Sequence, residues 1–293
     1  MRFSAKPVLT LCWALRRWTQ RTDAESCCTL AAMGVKGLHA RLKAHCNQVD
    51  ALVDYTGLRV GVDASGWLHR AYNAALGEGI RDEAALRDYV TRFFRDYVGA
   101  LRASDVQVSL VWDGTRPAAK CVRPRSESGN GALAFADAAW LAAEDAGATC
   151  VFAEGEADAH LVALGRSGTV CCVLTDDSDL VALGCPRTLF KAKLLRPKGR
   201  YTLFGDEFEL SSLGASPGPF LGWSHERFVA FCVACGCDYV ENVPGVGPAR
   251  ALELCTEHET PDLILDALLD KPGCPADYEE KFRTAMDIFS RNE

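Results

Sequence analysis

Three carboxylates, Asp176, Asp177 and Asp179, follow directly on the apolar run TVCCVL at 169–174. Two unit charges about 5 Å apart repel by roughly 1 kcal/mol in water and by several at a protein-like effective dielectric. A helix N-terminus offsets a little of that cost, and a bound divalent cation offsets far more. Acids stand in equivalent places elsewhere. RVGVD (59–63) and VQVSLVWD (106–113) end on Asp63 and Asp113, and TCVFA (149–153) is followed by Glu154, Glu156 and Asp158. A single acid after a strand is ordinary turn chemistry. Four strand ends that all carry acid converge on one place if the strands are parallel neighbours.

The elements between these runs fit that arrangement. An amphipathic stretch covers 64–76, and Leu86, Tyr89, Val90, Phe93, Phe94, Tyr97 and Leu101 give helical spacing over 83–104. Further helices are predicted near 133–146 and 155–168, each closed by glycine, whereas 117–132 is a loop rich in Pro, Gly, Ser and Arg. TLFKAKL (188–194) and RYTLF (200–204) are predicted strands, joined as a hairpin around Pro197–Gly199. Strands alternating with helices predict an α/β fold with a doubly wound, mostly parallel sheet. Beyond 205 the character changes. Ser224 is an N-cap for SHERFVAFCVAC, Gly236 closes that helix, and Asp238 stands at its exit. A Gly245-Val246-Gly247 turn follows, with Pro248 opening the next helix. Such a helix–hairpin–helix exposes N–H groups at a helix start, a cradle for phosphate.

Composition narrows the classes. The 293 residues are 48% hydrophobic, enough for a sizeable core, and no window approaches 18 uncharged apolar residues, so no membrane span is predicted. The 14 cysteines sit partly inside apolar runs (Cys171, Cys172, Cys232), which reads as reduced, buried thiols. CVACGC (232–237) lacks a second Cys or His pair at zinc spacing and reads as helix. Residues 1–33 hold five basic residues and two acids. Two readings stand for this extension: a transit peptide, or a stretch upstream of a start at Met33. Without it the chain has 32 minus 5, or 27, basic and 39 minus 2, or 37, acidic residues, a net of −10. That balance argues against a simple nucleic-acid coat and leaves room for an enzyme with acids concentrated in a metal site.

Together, MGVKGL (33–38), VDASGWLHR (62–70), VWDGTRP (111–117), GEADA (155–159), TDDSDL (175–180) and GCDYVENVPGVGPARA (236–251) resemble, in order, the flap endonuclease and exonuclease-one (XPG-type) superfamily of structure-specific 5′ nucleases. The WLH after Asp63 is more similar to the exonuclease-one branch. The resemblance spans about residues 33–293. It implies a PIN-like sheet and a helix–hairpin–helix of the H3TH type. It implies two Mg²⁺ ions held by Asp63, Asp113, Glu156, Asp158, Asp177, Asp179 and Asp238, which would act as the catalytic set. Such a pair clamps a phosphodiester and activates water, leaving a 5′-phosphate and a 3′-hydroxyl. Glu154 and Asp176 fall outside the matched ligand positions and read as solvated neighbours that strengthen the field. The resemblance further implies DNA contacts at His69, Lys120, Arg123, Gly245, Gly247 and Arg250, with Arg125 assisting, and K⁺ held by the hairpin through backbone near Asn242 and Val246.

The chain departs from that family in the arch between VWDG and GEADA. At 117–147 it is short, carries Pro and Gly, and has Glu127 where a second basic residue is expected. The expected organisation is an extension at 1–32, a catalytic α/β core at 33–204 with this shortened arch, and a region at 205–293 that completes the site. The chain stops at FSRNE, inside a predicted helix, which reads as a fragment or a reduced form. The expected function is Mg²⁺-dependent hydrolysis of DNA at 5′ ends, flaps or gaps in repair, replication or recombination, in the nucleus, or in a mitochondrion or plastid if 1–32 is a transit peptide. Two alternatives stand beside it: a DNA-junction-binding protein that keeps the fold without cutting, and a metal-dependent phosphatase or RNA nuclease on a similar sheet, which would not need the hairpin.

Overall fold

The computed structural model describes residues 34–114 and 131–290. In chain order the elements are α1 (Leu38–Leu42), β1 (Asn47–Asp50), α2 (Ala51–Asp54), β2 (Arg59–Asp63), α3 (Ala64–Gly77), α4 (Glu83–Ala103), β3 (Gln107–Trp112), α5 (Ala136–Asp145), β4 (Thr149–Phe152), α6 (Ala157–Arg166), β5 (Cys172–Thr175), α7 (Asp179–Ala182), β6 (Arg187–Leu195), β7 (Thr202–Glu209), α8 (His225–Cys235), α9 (Pro248–Glu257), α10 (Pro261–Leu269) and α11 (Tyr278–Ser290). The seven strands form one sheet in the order β1-β7-β6-β5-β2-β3-β4.

Near-continuous apolar runs make the central strands, as burial on both faces requires. β2 pairs in parallel with β3 (Val60 opposite Val108) and with β5 (Val60 opposite Cys172). β4 and β6 extend the parallel part. Alternate residues feed two cores. Val60, Val62, Leu110 and Trp112 face α3, α4 and α5, and Val111, Val173 and Phe190 face α6 and α8. The doubly wound, mostly parallel sheet expected from the sequence is therefore present. All carboxyl ends of the parallel strands lie on one edge, which is where the acids stand.

The remainder of the sheet is antiparallel. β7 pairs with β6, and the four-residue β1 pairs with β7. β7 runs to Glu209, so the division expected at 204 falls inside a strand. On that side a single apolar core joins Phe190 and Phe208 of the sheet to Phe228, Phe231, Phe282 and Phe289 of α8 and α11. Caps fix the helix starts: Asp82 accepts the Ala85 N–H at 3.0 Å and Ser224 accepts the Arg227 N–H at 3.2 Å. No helix among the described residues is long and apolar enough to cross a membrane. All ten described cysteines are free thiols, six of them buried. No group of three His, Cys, Asp or Glu that would hold a metal ion occurs among the described residues.

Phe94 is fully buried, its ring 6.2 Å from Trp67 and stacked 6.2 Å from Trp112, the last residue of β3, which Asp113 follows. Phe94→Ala is expected to cost about 3–5 kcal/mol. A urea midpoint by circular dichroism unchanged from the parent chain would contradict this core.

Candidate metal centre

The last residue of β2 is Asp63, 4% exposed, and it doubles as the N-cap of α3. Its Oδ1 accepts the Gly66 N–H at 2.9 Å, and its Oδ2 accepts the hydroxyl of Thr175, the last residue of β5, at 3.0 Å. Thr175 Oγ1 in turn accepts the Asp177 N–H at 3.0 Å, and Asp177 Oδ1 accepts the Asp179 N–H at 2.9 Å. Asp113, just past β3, accepts the Ser65 hydroxyl at 2.7 Å and the N–H of Ala157, the first residue of α6, at 2.9 Å. Glu156 immediately precedes α6 and accepts the Tyr239 hydroxyl at 3.3 Å. The charge of Asp179 is felt at Cys237, next to Asp238, where burial first and Asp179 second push the thiol up to about 12. Asp158 lies in the first turn of α6 and its charge reaches Cys185. Hydrogen bonds and mutual electrostatics thus join Asp63, Asp113, Asp177 and Asp179, and Tyr239 ties Glu156 to the segment bearing Asp238.

Burial pushes the Asp63 carboxyl up to about 7, and the charges of Asp113 and Asp177 add to it against the Gly66 N–H and the Thr175 hydroxyl. The repulsion foreseen for gathered acids is thus present as the second cause, after burial. Among the described residues no three His, Cys, Asp or Glu close into a ready-made cage. The donors are all oxygen, the chemistry that suits Mg²⁺. Mg²⁺ keeps several waters and takes one or two carboxylates directly, so an open set of acids fits it better than it fits a tightly caged ion.

A strap ahead of α1 closes one side of the centre. At Gly34 (φ +75°) a Cβ would stand 2.2 Å from Asp177 Oδ1 and 2.8 Å from Ser178 Oγ, so only glycine fits. Ser178 donates to the Val35 carbonyl at 3.4 Å.

Some sequence expectations change. Asp176 is no solvated neighbour: Arg70 grips it through Nε at 2.8 Å and through its second terminal nitrogen, and also donates to the Ala192 carbonyl at 2.6 Å. Glu154 is exposed, as expected. His69 is half-buried on α3; burial lowers its pKa, with Asp113 pulling the other way, which favours a neutral imidazole near the centre. Gly245 and Gly247 lie in the turn before α9, whose N-terminus has no side-chain cap. Arg250 is exposed and paired with Glu253 at 2.6 Å. The Asn242 amide donates to the Val246 carbonyl at 3.0 Å. Lys120, Arg123, Arg125, Glu127, Met33 and residues 1–32 lie outside the described residues, as does most of the basic part of the arch. Sequence reasoning missed Thr175, Arg70 and Tyr239. Each is adjacent to an assigned residue or at a strand end, the one signal available.

Two outcomes are expected. Because the folded pKa of Asp63 lies above its unfolded value of 3.8, the stability this group contributes is present below about pH 4 and lost as pH rises to about 7. In EDTA the melting temperature should therefore carry a falling component over that range, and Mg²⁺ should raise it more at pH 8 than at pH 5; an equal Mg²⁺ shift at both would contradict the arrangement. Gly34→Ala, which overpacks the Asp177 carboxylate, should cost about 1–3 kcal/mol in chemical denaturation and reduce the Mg²⁺-induced shift.

Comparison with known proteins agrees with this layout. Residues 33–127 match the XPG N-terminal domain and residues 147–238 match the XPG I-region. Exonuclease 1 of Danio rerio is 26% identical over 88% of this chain and 35% of its own length; the Arabidopsis thaliana protein is 27% identical over 88% and 38%. Flap endonuclease 1 of Ostreococcus tauri is 33% identical over 47% of this chain and 33% of its own. The chain thus spans about a third of the length of these relatives. The fold is shared with the catalytic core of Rad2 in complex with DNA substrate (TM-score 0.66, 20% identity, 88% of this chain and 86% of that one). It is also shared with the Holliday junction-resolving enzyme GEN1 in complex with product DNA and a Mg²⁺ ion (TM-score 0.60, 18% identity, 88% and 68%). Both matched regions occur in order, and the acids at the ends of β2, β3 and β5 fall within them: the chain belongs to the XPG family.

Proposed function

We propose that this chain is a Mg²⁺-dependent 5′ nuclease that hydrolyses DNA phosphodiesters at 5′ ends, flaps or gaps, acting in DNA repair, replication or recombination. The observation that carries the reading is the buried Asp63, joined through Thr175 to Asp177 and sharing its electrostatic field with Asp113, across the carboxyl ends of three adjacent parallel strands. Asp63, Asp113, Glu156, Asp158, Asp177, Asp179 and Asp238 are the residues that would hold two Mg²⁺ ions. Bound there, the ions supply an activated water and charge stabilisation at the phosphate.

The chain's own groups account for the rest. The N–H groups of Gly66, Ala157 and Asp179 hold Asp63, Asp113 and Asp177 in place. The Arg70–Asp176 pair anchors α3 to the loop after β5, so neutral His69 is held beside the centre with its ring available to a base. Gly245 and Gly247 present the start of α9 to backbone phosphates, with Arg250 alongside, and Lys120 and Arg123 steer the phosphate to be cut. A chain of net charge −7 needs such local donors, because its overall field repels DNA. In this reading the catalytic core with its shortened arch runs from residue 33 to the end of β7 at Glu209, and the residues up to 293 complete the site and carry the H3TH-type hairpin. The nucleus is the proposed compartment, with a mitochondrion or plastid if residues 1–32 act as a transit peptide.

The test is product analysis on 5′-labelled flap, nicked and recessed duplexes. Asp179→Ala should lower cleavage by more than about a hundredfold while leaving affinity for the same DNA largely intact. Cleavage retained by that variant at saturating Mg²⁺ removes the assignment. Binding without product by the unsubstituted chain, in Mg²⁺ as in EDTA, makes it a junction-binding protein instead.

A further inference from the structure

The hairpin before α9 is a four-residue turn, Val243-Pro244-Gly245-Val246, closed by the Val246 N–H donating to the Val243 carbonyl at 2.9 Å. Pro244 presets the first bend and Gly245, at φ +79°, supplies the second, the pattern of a type II turn. Beneath it lies the side chain of Asn242. Its Nδ2 donates to the Val246 carbonyl at 3.0 Å and to the Val243 carbonyl at 3.3 Å. Its Oδ1 accepts from Lys36 Nζ at 2.7 Å, across 206 positions of sequence. The orientation of the amide follows from the partners: an ammonium only donates and carbonyls only accept, so the oxygen faces Lys36 and the nitrogen faces the turn. The main chain of Lys36 is fixed as well, through its N–H to the Gly236 carbonyl at 3.3 Å.

This arrangement does not fit K⁺ as the resemblance implies it. A monovalent cation between the Val243 and Val246 carbonyls would meet the N–H hydrogens of Asn242, already aimed there, with an ammonium behind them. We propose that Lys36 is a built-in substitute for that cation: acting through Asn242, it is the positioning residue that closes the turn. The ammonium polarises the amide, and a polarised amide donates more strongly to the two carbonyls. The positive charge thus reaches the turn through a side chain instead of a bound ion. Lys36 also belongs to the strap that carries Gly34 against Asp177, so one short segment touches both the acids and the hairpin. The hairpin should then keep its shape whatever monovalent salt is present. The inference rests on the proposed function only in so far as DNA binding serves as one of its readouts.

The experiment compares KCl with tetramethylammonium chloride, a cation too large for a carbonyl site, at matched ionic strength in EDTA. Melting temperature and affinity for a recessed duplex are read for the unsubstituted chain, Lys36→Met, Lys36→Arg and Asn242→Ser. The unsubstituted chain should give the same melting temperature in both salts and affinities within about twofold. Lys36→Met should bind about tenfold more weakly in tetramethylammonium and recover most of that in KCl. Asn242→Ser, which bares the two carbonyls, should likewise become K⁺-responsive, and Lys36→Arg should stay indifferent to the salt. A melting temperature of the unsubstituted chain that is higher in K⁺, or an affinity that rises there beyond the twofold margin, overturns the proposal. So does a Lys36→Met variant that matches the unsubstituted chain in both salts. If the unsubstituted chain binds no DNA in either salt, the nuclease reading fails, and the melting temperatures still decide the role of Lys36.

Discussion

Like charges brought together at low exposure set the terms for this molecule. Asp63, Asp177 and Asp179 are all under 10% exposed, and Asp113 adds its charge to theirs. A hydrogen bond to a charged group is worth about 1.5–3 kcal/mol, whereas a close pair of carboxylates costs several against a net stability of only about 5–15 kcal/mol. The fold answers with donors at the spots where helices begin. The Gly66 N–H in the first turn of α3, the Ala157 N–H opening α6 and the Asp179 N–H opening α7 each meet an acid. The geometry of the parallel sheet makes this economical, because the junctions after β2, β4 and β5 each deliver acid and a helix start to the same edge. Burial first, and then the charges of Asp113 and Asp177 that these donors leave unbalanced, raise the pKa of Asp63.

The part of the fold read from sequence is the part with a strong local signal. β2, β3 and β5 are buried on both faces and so are written as apolar runs. Ser224, Gly236 and Pro248 punctuate helices by mechanisms confined to a few residues. β1 had no such signal. Asn47-Gln48-Val49-Asp50 is half polar and becomes a strand only because β7 offers it an edge. β7 itself is legible only to Phe204, since Gly205-Asp206-Glu207 has poor strand propensity and is held by partners on both sides.

Within the centre, strand ends disclosed which acids gather, but not how neighbours divide the work. Asp176 and Asp177 are adjacent and chemically identical. Asp176 is claimed by Arg70, 106 positions away, whereas the buried Asp177 donates its N–H to the Thr175 hydroxyl, and its carboxylate accepts the Asp179 N–H against Gly34. Tyr239 with Glu156, and Lys36 with Asn242, are likewise pairs between distant segments. Spacing along a chain carries no information about such pairs. They exist because the sheet order brings their segments together.

That sheet order also governs how the protein comes into being. β2 is made early, yet it is an interior strand: it waits for β5, and Asp63 waits for Thr175, 112 residues later. Asp238 emerges later still. At a synthesis rate of about 5–20 residues per second, a ribosome takes on the order of ten seconds or more to deliver the full set. A nascent chain during that interval displays scattered, ordinary acids with no means of gathering an ion. The acids can therefore gather only after the last of these segments has left the ribosome.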